Sequence, residues 1–267
     1  MTWLGNAHEG HGASARWSMV FRDVPDHHDA PSTRYYRECE ELLFSKYFGD
    51  LAGKRILKTD LWDEARNTRI LLWAANRGAC AYGVDIAPET AREALGVFKA
   101  SRVTSRFAVA DTRHLPFQAD AFDAVYSMGT VEHFPQTAEA IAEVFRVLRP
   151  GGIAIVGVPN KLDPFLRPAL VTVLNWLRLY PYGYETSYTA TALASMLAKA
   201  GFSVRDVTGL LFMPGALRLL DLLLYCLWPP LATITDWAVQ PFSFLYRQVP
   251  GLRRHGYLVA CIAEKPL

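Results

Sequence analysis

Apolar residues along the chain follow two periodicities, which change from one short block to the next. Runs that are apolar on both faces predict strands at 55–57, 79–86, 103–110, 121–127, 153–158, 202–207 and 257–263. Apolar positions at helical spacing predict helices at 35–48, 64–76, 88–98, 136–148 and 189–200. Strands and helices that alternate in this way form a mostly parallel sheet with helices on both faces. We therefore expect an α/β, Rossmann-like fold.

The same pattern divides the chain into four segments. An irregular, loosely docked polar arm and the first helix occupy 1–48. The core occupies 49–209 and contains an apolar, aromatic lid region at 161–188. An apolar helical insertion at 210–254 precedes the last core strand, which lies within 255–267.

Composition argues against several classes of protein. Hydrophobic residues make up 51% of the chain, and a net charge of +2 gives no reason to expect a nucleic-acid partner. The four cysteines show no C-x-x-C pairing, so no disulfide framework is expected. Two histidine groups, His8-Glu9 with His11 and His27-His28, lack a metal-ligand spacing, so no metal is expected. No secretory signal is visible, and the expected location is cytoplasmic.

Two acidic residues follow neighbouring strands, at the edge where an open parallel sheet binds its ligands. Asp85, followed by Ile86, ends the second strand, where a carboxylate can accept hydrogen bonds from a ribose diol. Asp111, followed by Thr112, ends the third strand and can accept from an amine. Both acids also have local interpretations, as a cap for the next helix and as a turn residue.

Several motifs further along the chain resemble one known family. The segments LPF at 115–117, FD at 122–123, EH at 132–133 and RVLRPGG at 146–152 together resemble the class I S-adenosylmethionine-dependent methyltransferases. The resemblance covers about 54–158, and more loosely 184–265. It implies an enzyme that uses S-adenosylmethionine, on a seven-stranded sheet whose last strand is antiparallel. It also implies that Asp85 holds the ribose, that Asp111 and Thr112 face the adenine, and that Met128 and Gly129 line the methionine end.

The loop after the first strand departs from that family. Its glycines are absent, and Lys58 stands where an acid is usual. One interpretation is a working variant loop in which Thr59, Asp60 and Glu64 hold the cofactor by their side chains. The other is a degenerate site, which would make the chain a binding or scaffolding protein. A nicotinamide-dependent oxidoreductase is a third hypothesis, but the G-x-G-x-x-G fingerprint is missing.

His133 has two interpretations. An imidazole near a reacting centre can act as a general base at neutral pH. The ring could equally be structural and pack beside Phe134.

The lid region and the insertion are more apolar than a sugar or amino-acid substrate requires. We therefore expect a hydrophobic acceptor, such as a lipid, an isoprenoid or an aromatic compound. Pro214 and the Pro229-Pro230 pair make the insertion helix too short to span a bilayer. Its aromatic and basic residues fit a peripheral membrane surface, a pocket wall, a dimer surface or a buried subdomain.

Overall fold

A seven-stranded sheet forms the centre of the protein, for which a computed structural model describes residues 11–267. The strand order is β3-β2-β1-β4-β5-β7-β6. The first five strands are parallel, and β7 runs antiparallel to both of its neighbours. The strands are β1 Arg55–Lys58, β2 Cys80–Asp85, β3 Ser105–Val109, β4 Phe122–Met128, β5 Leu148–Pro159, β6 Ser203–Leu210 and β7 Leu258–Glu264. The expected fold is confirmed, including the antiparallel last strand.

Helices cover both faces of this sheet. They are α1 His11–Asp23, α2 Pro31–Leu43, α3 Trp62–Arg66, α4 Ile70–Ala75, α5 Pro88–Ala100, α6 Thr137–Val147, α7 Arg167–Trp176, α8 Ala190–Lys199, α9 Gly215–Leu227 and α10 Ala232–Gln248. Neighbouring strand residues point to opposite faces, so Ile56 and Tyr126 enter one buried core while Leu57 and Val125 enter the other. The strands are apolar on both faces because both faces are buried.

Two predicted elements differ from the structure. The arm expected to be irregular contains α1, which packs on α5. The helix expected at 64–76 is two short helices, α3 and α4, because Arg69 adopts a left-handed conformation with φ of 58°. Trp17, Val20 and Phe21 of the arm have a helical spacing that our prediction did not use, whereas no change in apolar spacing marks the break at Arg69. His8 and Glu9 lie outside the described residues.

The insertion folds as two helices, α9 and α10, and α9 contacts both α7 and α10. Within residues 11–267, no helix is both long enough and apolar enough to cross a membrane.

Candidate cofactor and acceptor site

Lys58, the last residue of β1, is fully buried and organises the turn that follows it. Its Nζ donates to Asp60 Oδ2 at 2.7 Å and to the Asp60 carbonyl at 2.9 Å. It also lies 3.2 Å from Asp63 Oδ2. Burial opposes a charged lysine, but Asp60 and Asp63 together hold the pKa of Lys58 above its ordinary value. The turn is therefore held by an ion cluster where the family uses glycines.

Asp60 remains partly open at the edge of this cluster. Its side chain is 17% exposed, and its Oδ1 accepts a hydrogen bond from the Trp62 amide at 2.8 Å. Burial raises the pKa of Asp60 even though Lys58 opposes the shift. Two carboxyl groups face one ammonium here, so the cluster favours an added cation.

Asp85 lies at the tip of β2, beside the same turn. Its two oxygens accept from the amides of Leu61 at 3.0 Å and Ala87 at 2.8 Å. Burial, together with the negative charge of Asp60, raises the pKa of Asp85 to about 7. The Leu61 side chain occupies the space where a Cβ on Gly83 would lie. Gly83, two residues before Asp85, therefore leaves room for the Leu61 side chain.

Asp111, at the tip of β3, is held by a neighbouring cation. Arg113 Nε lies 3.1 Å from both carboxylate oxygens, and its second guanidinium nitrogen lies 2.6 Å from Oδ2. Burial opposes ionisation, but the hydrogen bonds and charge of Arg113 hold the pKa of Asp111 below its ordinary value. An adenine amine would share this carboxylate with Arg113.

Four of the predicted cofactor residues have buried side chains with other partners. Thr59 Oγ1 donates to Ser127 Oγ at 2.8 Å, and Thr112 Oγ1 donates to the Thr59 carbonyl at 3.1 Å. The Met128 side chain packs over Gly157. Both Glu64 oxygens accept amides at the start of α4. Thr59, Glu64, Thr112 and Met128 are thus engaged within the protein, and their contact with the cofactor stays a prediction.

Glu64→Gln tests the structural role of Glu64. Its carboxylate takes the Leu71 amide at 2.9 Å and the Leu72 amide at 3.1 Å. Since an amide nitrogen cannot accept these bonds, we expect the substitution to cost about 1–3 kcal/mol in thermal or urea unfolding. Cofactor affinity measured by calorimetry should stay within experimental error, and a large loss of affinity with unchanged stability would contradict this assignment.

The same residue makes stability depend on pH. Burial raises the pKa of Glu64 to about 7, from an ordinary value of 4.5. The folded state therefore favours the protonated acid, and its contribution falls as pH rises from 4.5 towards 7. In Glu64→Gln, the free energy of unfolding should depend less on pH between 4.5 and 7.

Glu132 and His133 follow β4 and lie beneath the lid region. His133 Nδ1 lies 2.9 Å from the Tyr184 carbonyl, and because that carbonyl only accepts, Nδ1 carries the proton. The Nε2 atom then has a free lone pair, and it lies 3.9 Å from Glu132 Oε1. Burial lowers the pKa of His133 and raises the pKa of Glu132 well above its ordinary value, so burial favours the neutral form of each side chain. Glu132 Oε2 has no hydrogen-bond partner among the described residues.

A buried ion pair anchors the lid above these two residues. Arg167 donates to both oxygens of Glu185, at 2.6 and 2.9 Å. The next residue, Thr186, donates its amide to the Glu132 carbonyl at 3.1 Å. The two ends of the lid are thus joined by the ion pair, and the lid is also hydrogen-bonded to the segment after β4.

Helix α1 covers the opposite side of the cleft. Ser14 Oγ donates to the Ile86 carbonyl at 2.8 Å, directly after Asp85. Trp17 lies edge-on to the His133 ring, with 4.8 Å between centroids, and Arg16 donates to the Tyr182 carbonyl. The helix therefore joins the tip of β2 to the lid.

Comparison with known proteins places this geometry in a family. Residues 65–156 match the model of a family described as "Methyltransferase domain". A demethylmenaquinone methyltransferase of Thermus thermophilus is 31% identical over 188 residues, covering 64% of this chain and 82% of that protein. The chain belongs to the S-adenosylmethionine-dependent methyltransferases. This family membership confirms the resemblance drawn from the motifs and disfavours the nicotinamide hypothesis.

Other similar proteins are matched over part of their length or only in fold. A "Probable S-adenosylmethionine-dependent methyltransferase" of Mycolicibacterium smegmatis is 31% identical over 147 residues, which cover 52% of this chain and about half, 54%, of that protein. The crystal structure of the [4+2]-cyclase SpnF superposes with a TM-score of 0.60 at 21% identity, covering 86% of this chain and 81% of that one. The likeness to SpnF concerns the fold alone.

S-adenosylmethionine is the cofactor of this methyltransferase family, and the site has carboxylate acceptors that fit it. The cofactor carries a sulfonium and an ammonium, and the carboxyl groups of Asp60, Asp63 and Asp85 outnumber the single ammonium of Lys58. Asp85 has free lone pairs for a ribose diol, and Asp60 is the open acid nearest the turn. Gly129, with φ of +71°, has open space beside it. Of the predicted contacts, Asp60, Asp85, Ile86, Asp111 and Gly129 stay at this edge.

Sequence reasoning missed the anchoring residues of the site. Lys58 was noted as unusual but not as the centre of a cluster. A lysine at the end of an apolar strand needs buried counter-charges, and that requirement could have pointed to Asp60 and Asp63. Ser14 carries no comparable signal, whereas Trp17 shares a helical apolar spacing with Val20 and Phe21.

Proposed function

We propose that the protein transfers the methyl group of S-adenosylmethionine to a hydrophobic small molecule of lipid-like or quinone-like character. The observation that carries this proposal is the aromatic wall beside the cofactor turn. Trp62 and the lid residue Tyr182 meet edge to face at 6.1 Å, and Tyr180 lies 5.4 Å from Tyr182. Such a wall suits an apolar or aromatic acceptor. The printed name of the Thermus relative, a demethylmenaquinone methyltransferase, supports the same class.

The residues of this chain would bind the cofactor, orient the two reactants and exclude water. S-adenosylmethionine, when bound, supplies an electrophilic methyl group on a positively charged sulfur. Asp85 would hold the ribose and Asp60 the ammonium of the methionine. The lid and α1 would exclude water from the reacting atoms, so that positioning supplies much of the acceleration. For a hydroxyl acceptor, His133 Nε2 would take the proton.

Cofactor binding followed by acceptor turnover tests this function. We expect calorimetry to detect S-adenosylmethionine binding to the purified chain, and labelled methyl transfer to a demethylated quinol in preference to a sugar. No binding at millimolar cofactor would contradict an active enzyme and favour the binding or scaffolding alternative. Cofactor binding with methyl transfer only to a polar acceptor would contradict the proposed acceptor class but not the methyltransferase activity.

His133→Asn tests the proton acceptor. With a hydroxyl acceptor we expect kcat to fall about 10²–10³-fold, because a positioned base contributes this much to proton transfer. Since burial lowers the pKa of His133, the acid limb of the wild-type kcat profile should lie below pH 6.5. His114→Asn, at an exposed histidine, is the matched control. An unchanged kcat in His133→Asn would leave the ring a structural role only.

A further inference from the structure

Helix α9 presents its polar side chains to the protein and its apolar ones to solvent. Asp221 is fully buried, and its Oδ2 accepts the Ser32 amide at 2.8 Å. Arg218, also buried, donates to the Ser32 carbonyl at 3.2 Å. The outward side chains of the same helix are Leu219, Leu220, Leu223 and Leu227. This inverts the amphipathic arrangement of a surface helix in a globular protein.

The two neighbouring helices also expose apolar side chains. Arg167 is the one buried residue of α7, while α10 buries Thr235 and Ser243 together with Val239 and Tyr246. Three tryptophans of this region face solvent: Trp176 is 81% exposed, Trp228 63% and Trp237 76%. Since α9 contacts both α7 and α10, we call the exposed apolar side of these three helices the outer face. A patch of this kind marks an interaction surface.

Charge distinguishes the partners that could cover this outer face. Lys161 and Arg178 are exposed and adjoin the exposed leucines Leu162 and Leu179. The acidic residues described at 161–188 and 210–254 are either buried or paired with arginine or backbone donors: Asp163, Glu185, Asp221 and Asp236. A second copy docked face to face would bring like charges together. An anionic surface is complementary.

We propose that the outer face docks on the surface of a lipid bilayer that contains anionic lipids. Helix α9 has 13 residues and is about 20 Å long, so it can lie in the interface but cannot span it. Exposed tryptophans next to basic residues are typical of the membrane–water interface. The lid helix α7 belongs to this face, so an acceptor dissolved in the bilayer would reach the cleft directly; this last step rests on the proposed function.

Co-sedimentation with vesicles tests the docking without cofactor or acceptor, so its result is independent of methyl transfer. The full chain is mixed with vesicles of phosphatidylcholine alone and with vesicles that also contain phosphatidylglycerol. We expect binding to the mixed vesicles, weaker binding to phosphatidylcholine, and partial release by salt. Wild-type protein that stays in the supernatant with both vesicle types would overturn the proposal.

Two sets of variants locate the contact. The triple variant Leu223→Ser, Trp228→Ser, Trp237→Ser should lower the partition coefficient about tenfold or more. Leu42→Ser with Leu267→Ser, at exposed leucines outside these helices, should bind like wild type. If the triple variant fails to fold by circular dichroism, Lys161→Gln with Arg178→Gln remains informative, because it should remove the preference for anionic vesicles. Equal partition of all folded variants would overturn the proposal.

Light scattering distinguishes membrane docking from the other possible occupant of the outer face, a second copy of the chain. A wild-type dimer that becomes monomeric in the triple variant, with no vesicle binding by either, would assign the outer face to a second copy and overturn membrane docking.

Discussion

Lys58→Met is expected to lower the free energy of unfolding by about 3–5 kcal/mol, the largest stability effect we foresee for a single substitution. Methionine fills a similar volume, so the loss arises from charge and not from a cavity. Without the ammonium, Asp60 and Asp63 would lie together at a buried turn with no cation between them. Urea unfolding followed by circular dichroism measures the effect.

A second lysine–aspartate pair provides the matched control. Lys46 lies 3.1 Å from Asp206, but their side chains are 60% and 44% exposed. Because solvent screens such a pair, Lys46→Met should cost no more than about 1 kcal/mol. Equal losses for the two lysines would mean that the buried cluster contributes no more than a surface ion pair.

Asp85→Ala is expected to weaken S-adenosylmethionine binding by about a hundredfold or more, because two hydrogen bonds to a charged acceptor are lost. Asp85→Asn keeps one acceptor and should lose less. Asp111→Asn should also lose less, since Arg113 already takes up much of that carboxylate. Calorimetry on folded variants gives the affinities, and an Asp85→Ala affinity within threefold of wild type would exclude a ribose contact at this residue.

The affinity for the cofactor should also depend on pH. Asp85 has a pKa raised to about 7 in the free protein, and only its ionised form accepts through both oxygens. Affinity should therefore be constant above pH 7 and fall about tenfold per pH unit below it. Asp85→Asn should remove this dependence, and a flat wild-type profile would show that Asp85 does not titrate in the cleft.

The fold follows from the sequence because the strands are apolar on both sides, and a sheet covered by helices on both faces buries both sides. The positions of Asp85 and Asp111 follow in turn, since the tips of parallel strands meet at one edge. The hydrophobic pattern and the sheet topology therefore predict where the cleft lies without knowledge of side-chain orientations.

Orientation of polar side chains could not be predicted in the same way. Glu64 points into the core because the chain breaks at Arg69 and leaves the amides of α4 without partners, and no glycine or proline marks that break. Helix α9 shows the same limit, since a pattern of leucines with two charges does not say which side meets the protein. Helix α1 docks through hydrogen bonds and through ring contacts of Trp17 and Phe21, and the sequence does not say which partners these side chains meet.

The contacts of α1 with both walls of the cleft have a consequence for turnover. Ser14 binds it to the tip of β2, while Trp17 and Arg16 contact His133 and the lid. A nucleoside that bound beneath α1 would leave only after these contacts separate, and the next one would enter by the same route. The opening of α1, and not the methyl-transfer step, would then limit kcat.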